Sequence, residues 1–111
     1  MIVGAALVEL RVHGSRSLKA KRGVMRSISQ RVRNRFNVAV AEVGGQGTWQ
    51  WAVLGVAATG SDRVRVRQVL ERSVDYIEEL HLAEVCGVDV ELIDLPHGES
   101  FADAGDALDE E

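Results

Sequence analysis

Nine lysine and arginine side chains lie between Arg11 and Arg35, and this segment contains no Asp or Glu. Clustered cations of this kind bind phosphates, because each one releases a counterion from a nucleic-acid backbone. From Glu71 to Glu111 the balance reverses, with fourteen acids against the single Arg72. The formal net charge of −4 therefore hides two oppositely charged parts of the chain. This asymmetry indicates an electrostatic partner, or a contact between the two parts.

The first predicted helix concentrates these cations on one flank and in its first turn. Four of them fall within an arc of about 60°: Lys19, Arg22, Arg26 and Arg33. The helix macrodipole favours acids in a first turn, by about 0.3–1 kcal/mol per charge, so cations there break a local rule. Because helix N-termini readily bind phosphate, residues 14–22 are predicted to hold phosphates. The predicted anion- or nucleic-acid-binding residues are Arg16, Ser17, Lys19, Lys21, Arg22, Arg26 and Arg33.

The alternative is a solvated basic face that keeps the protein soluble, or one that pairs with Glu42 and the acidic C-terminal segment. Charge alone does not separate this alternative from a phosphate site.

Hydrophobic periodicity predicts the elements that position the cations. Residues 2–12 alternate as a strand, residues 18–35 form an amphipathic helix capped by Ser17, and residues 37–43 and 48–59 form a hairpin. A second helix, capped by Ser61 or Asp62, ends near His81 and precedes a last strand over residues 85–95. The order β-α-β-β-α-β predicts an α+β ferredoxin-like fold, with two helices on one face of a four-stranded antiparallel sheet. We expect one domain over residues 1–95 and a disordered acidic tail over residues 96–111.

The sheet face without helices must be solvated, bound to a ligand or buried in an oligomer. Trp49 and Trp51 have the same parity on the predicted third strand, so both indoles are expected on this open face. They could stack bases, but an apolar sheet face is more often a dimer interface. We favour a homodimer with Trp49 and Trp51 in its interface. The outer face of the first strand offers no aromatic residue, which argues against an RNA recognition motif.

No set of residues has the spacing of a catalytic or metal site. His13, His81 and His97 are far apart, so we predict no metal and no cofactor. Cys86 is expected to be a small buried residue. One enzymatic alternative remains, because acylphosphatases share the predicted fold and residues 12–16 are distantly similar to their phosphate loop. The positioning asparagine of those enzymes, with its flanking aromatic residue on the following strand, is not found, and Asn37 lies too early for it.

The chain is expected to be cytoplasmic and not to enter a membrane. Its single cysteine, Cys86, has no partner for a disulfide, and its first ten residues lack the basic start of a signal peptide. The apolar runs are far shorter than the roughly 20 residues that a membrane helix needs.

Four segments of the sequence together carry a family resemblance. Residues 17–22 (SLKAKR), residues 34–43 (NRFNVAVAEV) and the segments 49–50 (WQ) and 52–57 (AVLGVA) resemble the small bacterial YlxP-like family. The resemblance covers roughly residues 2–94, with the segments in the right order. That family has a ferredoxin-like fold and no known function, and its genes often lie beside those for translation initiation and ribosome-binding factors. The resemblance therefore implies a role near ribosome assembly or RNA.

Together these observations favour a non-enzymatic protein that binds RNA or the ribosome through phosphates, with little base preference. The alternative is a dimeric protein-interaction module, whose acidic C-terminal half meets a basic protein partner.

Overall fold

The structure is a computed structural model that describes residues 1–45 and 47–96. In this part of the chain the order is β1 (Ile2–Arg11), α1 (Leu18–Arg35), β2 (Ala39–Gly44), β3 (Trp51–Gly60), α2 (Arg63–Leu80) and β4 (Glu84–Asp94). The strands form one antiparallel sheet in the spatial order β2-β3-β1-β4. The predicted α+β ferredoxin-like fold is confirmed. Of the predicted tail, residues 97–111 lie outside the described residues.

Strand β1 lies in the interior of the sheet, and its alternation separates the two faces. Val8 and Leu10 are fully buried against the helices, whereas Leu7 and Glu9 are exposed on the opposite face. Successive side chains of a strand point to opposite faces, so the sequence pattern fixes which residues enter the core. We call the face without helices the open face.

The core lies between the sheet and the two helices. Each helix places an apolar stripe on it, and the fully buried members include Ile28 and Val32 of α1 and Leu70 and Ile77 of α2. Helix α1 lies over β2 and beside α2, while α2 lies over β1, β3 and β4. The basic helix is therefore the one next to the β2 edge of the sheet.

The helix ends follow the capping signals of the sequence. The Ser17 hydroxyl accepts a hydrogen bond from the Ala20 N–H at 3.0 Å, as predicted for an N-cap. Of the two predicted caps of α2, the structure selects Asp62, whose carboxylate accepts from the Val64 N–H at 2.9 Å. His81 ends α2 in the left-handed conformation, with φ of 52°.

Two local predictions are wrong. Strand β3 begins at Trp51, three residues later than predicted, so Trp49 lies in the preceding loop and does not share a strand with Trp51. Cys86 is exposed instead of buried. The register between β1 and β4 shifts here, with Glu9 opposite Gly87 and Leu10 opposite Val85, so Cys86 is the extra residue of a bulge on an edge strand.

No helix in the described part of the chain is long and apolar enough to cross a membrane.

Candidate nucleic-acid interface

The exposed side of α1 carries a row of cations. Lys19, Arg22 and Arg26 are all exposed, and Leu18–Arg35 contains no acid that could offset them. Met25, Ile28 and Val32 bury the opposite side of the helix. Because the apolar stripe fixes how the helix rotates on the sheet, the cations must face outward. We call Lys19, Arg22, Arg26 and Arg33 the basic flank.

The start of α1 adds one more cation beside free helix N–H groups. Arg16 is exposed in the loop that joins β1 to α1, immediately before the Ser17 cap. Gly14 makes the turn into this loop with φ of 75°, a conformation that glycine adopts without strain. Inside the loop, the buried Ser15 hydroxyl donates to the Ser17 carbonyl at 3.2 Å. Arg16 and Lys19 therefore flank a helix N-terminus whose first turn contains no acid.

Among the residues that the structure describes, the exposed cations at this end of α1 have no carboxylate partner. Over residues 1–45 and 47–96, no hydrogen bond or ion pair engages Arg16, Lys19, Arg22 or Arg26. Neighbouring like charges on a helix repel one another, so their approach destabilises the chain unless an anion binds. This arrangement suits a polyanion.

Lys21 does not belong to this surface, and its predicted role in anion binding is wrong. Only 1% of its side chain is exposed. Its ammonium donates to the carbonyls of Gly45 and Trp51, the latter at 2.8 Å, and lies 3.6 Å from Glu42 Oε1. Two carbonyls accept from the ammonium and a carboxylate lies beside it, so the ammonium is not directed to solvent. The physical reason is position: Lys21 lies four residues before Met25, on the buried side of the helix.

Lys21 instead holds the β2–β3 connection against α1. Thr48 reinforces the same closure, because its hydroxyl lies 3.0 Å from both the Gly45 and the Trp51 carbonyl oxygens. Gly45 has φ of 77°, and an added Cβ would lie 2.6 Å from the Trp51 carbonyl oxygen, so only glycine fits there. Since the β1–α1 loop also reaches this connection, through the Val12 N–H and the Gln50 carbonyl at 2.8 Å, one network fixes the end of the sheet that carries Arg16 and Lys19.

Arg33 lies on the basic flank but is partly engaged. One guanidinium nitrogen donates to the Val40 carbonyl of the edge strand β2 at 2.7 Å. Arg33 therefore orients the flank toward the β2 edge. Because an arginine has five N–H donors, the others remain for a ligand.

The two tryptophans occupy different surroundings. Trp51 lies on the open face opposite Arg11, whose guanidinium carbon is 5.1 Å from the indole centroid. Trp49, 54% exposed, lies in the loop before β3. Arg11 covers Trp51 and its Nε is buried without a hydrogen-bond partner in the described chain. A base stacked on Trp51 would compete with Arg11, so the structure brings no pair of free indoles together on the sheet.

Three arginines of α2 were not among the predicted binding residues. Arg63 and Arg67 are exposed near the start of that helix, whose first turn also contains no acid, and Arg65 lies 3.8 Å from Asp62. Their signal was present in the sequence, as arginine at every second position before Glu71. They extend the positive charge of the helical layer beyond α1.

In contrast to the basic flank, the corner near the start of β4 carries an acidic side chain, Glu84. His13 Nε2 lies 3.1 Å from Glu84 Oε1, and this hydrogen bond is the largest cause that lowers the pKa of the Glu84 carboxyl. The Cys86 thiol lies 3.6 Å from the same oxygen. Desolvation first, and then the hydrogen bond to Glu84, raise the pKa of that thiol. Across the described residues, no three His, Cys, Asp or Glu side chains form a group that could hold a metal ion.

Comparison with known proteins supports the resemblance seen in the sequence. Residues 3–90 match the family described as "Protein of unknown function (DUF503)". The uncharacterized protein YlxP of Bacillus subtilis (strain 168) is 40% identical over 77 residues, which cover 69% of this chain and 84% of that protein.

Two solved structures are similar at much lower identity. The de novo designed protein Foldit4 has a TM-score of 0.48 and 16% identity, over 86% of this chain and 98% of its own. SnoaB, a cofactor-independent oxygenase from Streptomyces nogalater, here in a mutant form, has a TM-score of 0.47 and 11% identity, over 87% and 96%.

Proposed function

Since the chain belongs to the DUF503 family of proteins of unknown function and is a relative of YlxP, we propose a function from its own surface. It binds RNA, either free or in the ribosome, through phosphates. Binding is non-enzymatic and involves the basic flank together with Arg16. This role locates the protein in the cytoplasm.

One observation carries the proposal. The exposed cations of α1 surround a helix N-terminus, and neither the helix nor its described surroundings offers them a carboxylate partner. Glu42 lies nearby on β2 but its carboxylate is 3.6 Å from the buried Lys21 ammonium. A solvated face that served solubility alone would gain stability from acids in the first turn of the helix, which is where this chain places cations.

Binding of this kind has a recognisable signature. Each phosphate contact releases about 0.7 counterion from single-stranded nucleic acid, so affinity falls steeply with salt. Phosphates carry no sequence information, so base composition has little effect on affinity. Trp51 adds no stacking platform because Arg11 already lies over it.

The test compares two triple variants of the full chain for binding to a fluorescein-labelled oligouridine. The first, Lys19→Gln with Arg22→Gln and Arg26→Gln, removes the three exposed cations of the flank other than Arg33, which donates to the Val40 carbonyl. The second removes Arg63, Arg65 and Arg67 of α2 by the same substitution and is the matched control. Between about 50 and 200 mM salt, the affinity of the α1 variant should fall about twentyfold less than that of the wild type, because the loss of three phosphate contacts means that about two fewer counterions are released.

The control should keep most of the wild-type affinity and a steeper salt dependence than the α1 variant. Co-sedimentation with ribosomal particles at low salt should fail for the α1 variant alone. Equal losses in both triple variants would show that binding follows net charge and would contradict a site on α1. Absence of binding by the wild type at low salt would refute the proposal.

A further inference from the structure

The open face is largely apolar over β1, β2 and β3, and its acids are Glu9 near one end of β1 and the acidic side chains of edge strand β4. Over β1, β2 and β3 it presents Val3, Ala5, Leu7, Ala39, Ala41 and Val43, followed by Val53, Gly55 and Ala57. Leu7 is 47% exposed and Val43 is 52% exposed, so the described chain leaves much of this surface in water. An apolar patch of this extent is typical of an interaction surface.

The small side chains of this face make it flat enough to accept another sheet. An added Cβ at Gly55 would lie 3.1 Å from Val43 Cγ1, so Val43 lies across the glycine instead of projecting from it. Alanines occupy the neighbouring positions on β1, β2 and β3. Two sheets that pack face to face need such interdigitation of small and branched side chains.

The area fits a second copy of this chain. Four strands about 4.8 Å apart, of which β2 has 6 residues and the others 10 or 11, give a face of about 600 Å². A standard interface removes about 800 Å² from each partner, which this face and its rim can supply. The Arg11–Trp51 pair at one end of the face combines two residue types that dominate the binding energy of interfaces.

We propose that two copies of this chain associate through their open faces, with a two-fold axis parallel to the strands. This axis follows from the charges of the two edges. Asp89 and Glu91 lie on the open side of edge strand β4, while Arg33 reaches the other edge strand, β2, where its guanidinium donates to the Val40 carbonyl. An axis parallel to the strands brings β4 of one copy over β2 of the other.

The competing axis, in the plane of the face but perpendicular to the strands, brings β4 over β4. That arrangement opposes four carboxylates across the interface, which is unfavourable. Edge charges of opposite sign attract within the Debye length of about 8 Å and also steer the encounter. The dimer does not require the RNA-binding role proposed above, because Lys19, Arg22 and Arg26 lie on the exposed side of α1, away from the open face.

The test is the mass of the full chain in solution, measured by sedimentation equilibrium. The wild type should have twice its 12.1 kDa chain mass at micromolar concentration. Leu7→Lys places a charge at the centre of the open face and should give the single-chain mass. Val64→Lys is the matched control, since Val64 is 63% exposed on α2, away from the open face, and this variant should remain dimeric. Circular dichroism verifies that Leu7→Lys is folded.

A second variant tests the orientation. Asp89→Asn should raise the dimer dissociation constant by about two- to fivefold, the size of a weak rim charge interaction. A lower constant would overturn the strand-parallel axis, because removal of an acid strengthens the interface only where β4 meets β4.

Three results would overturn the dimer. The first is a single-chain mass for the wild type together with free quenching of Trp51 fluorescence by iodide. The quenching is measured in the Trp49→Phe variant, so that the signal comes from Trp51. The second is a single-chain mass with a shielded Trp51, which would assign the face to residues 97–111 of the same chain. The third is nucleic acid or another protein that co-purifies with the wild type and is lost in Leu7→Lys but retained in Val64→Lys.

Discussion

The Lys21 ammonium lies 2.8 Å from the Trp51 carbonyl oxygen, and this hydrogen bond joins the first turn of α1 to the start of β3, thirty residues later in the chain. The same ammonium donates to the Gly45 carbonyl and is paired with Glu42. A buried charge is tolerated only when it is paired and fully hydrogen-bonded. Lys21 is thus a structural residue that holds the β2–β3 connection beneath the cationic end of the helix.

Lys21→Met should lower the free energy of unfolding by about 2–4 kcal/mol, because it removes the ammonium that donates to the Gly45 and Trp51 carbonyls and is paired with Glu42. Lys19→Met, the same substitution two residues earlier on the exposed side, should change it by less than about 0.5 kcal/mol. Urea unfolding followed by circular dichroism measures both. Similar losses in the two variants would contradict the structural role of Lys21.

Ser17→Asp separates stability from binding at the start of α1. Aspartate caps a helix as well as serine, and its charge interacts favourably with the macrodipole, so the free energy of unfolding should rise by about 0.3–1 kcal/mol. The same charge repels phosphates, so affinity for oligouridine should fall about fivefold. Ser17→Asn keeps the cap without the charge and should change neither quantity by much. An aspartate variant that binds as well as the wild type would show that this helix end does not meet the RNA.

Two glycines test how tightly the helices pack on the sheet. An added Cβ at Gly4 would lie 2.7 Å from both Leu92 Cδ2 and Val66 Cγ1, so Gly4→Ala should destabilise the fold by about 1–3 kcal/mol. An added Cβ at Gly23 meets nothing within 4 Å. Since Gly23 lies inside α1, Gly23→Ala should stabilise the fold by about 0.5–1 kcal/mol. Thermal unfolding of both variants checks the opposite signs, and a shift of the same sign in both would contradict this packing.

Glu84 should control the reactivity of Cys86. Desolvation and then the hydrogen bond to Glu84 raise the pKa of the thiol, and only the thiolate is alkylated. Glu84→Gln removes the carboxylate charge, so the midpoint of the alkylation rate against pH should move to lower pH. Iodoacetamide labelling followed by mass spectrometry measures the midpoint. Glu91→Gln, an acid on the same strand, is the control and should leave it unchanged, whereas an upward shift with Glu84→Gln would contradict the assigned cause.

The surroundings of Trp49 and Cys86 could not be predicted from local sequence patterns. Parity assigned both indoles to one strand, but β3 begins at Trp51 because the Gly45–Trp51 connection closes around Lys21. The bulge that exposes Cys86 depends on how β4 pairs with β1, about eighty residues away in the chain. Strand alternation predicts faces only while the register is continuous.

The sequence by itself determined the element order, the Ser17 cap and the acid-free basic helix, since these depend on neighbours within a few residues and on a periodicity of two or 3.6. It even placed Lys21 at the spacing of the buried stripe, four residues before Met25. Only the tertiary structure decided which cations remain available. The Lys21 ammonium donates to carbonyls at the two ends of the β2–β3 connection, which the fold brings next to it. Arg33 donates to the Val40 carbonyl on the edge strand. Partners so distant in the chain depend on packing, and packing is a property of the whole fold.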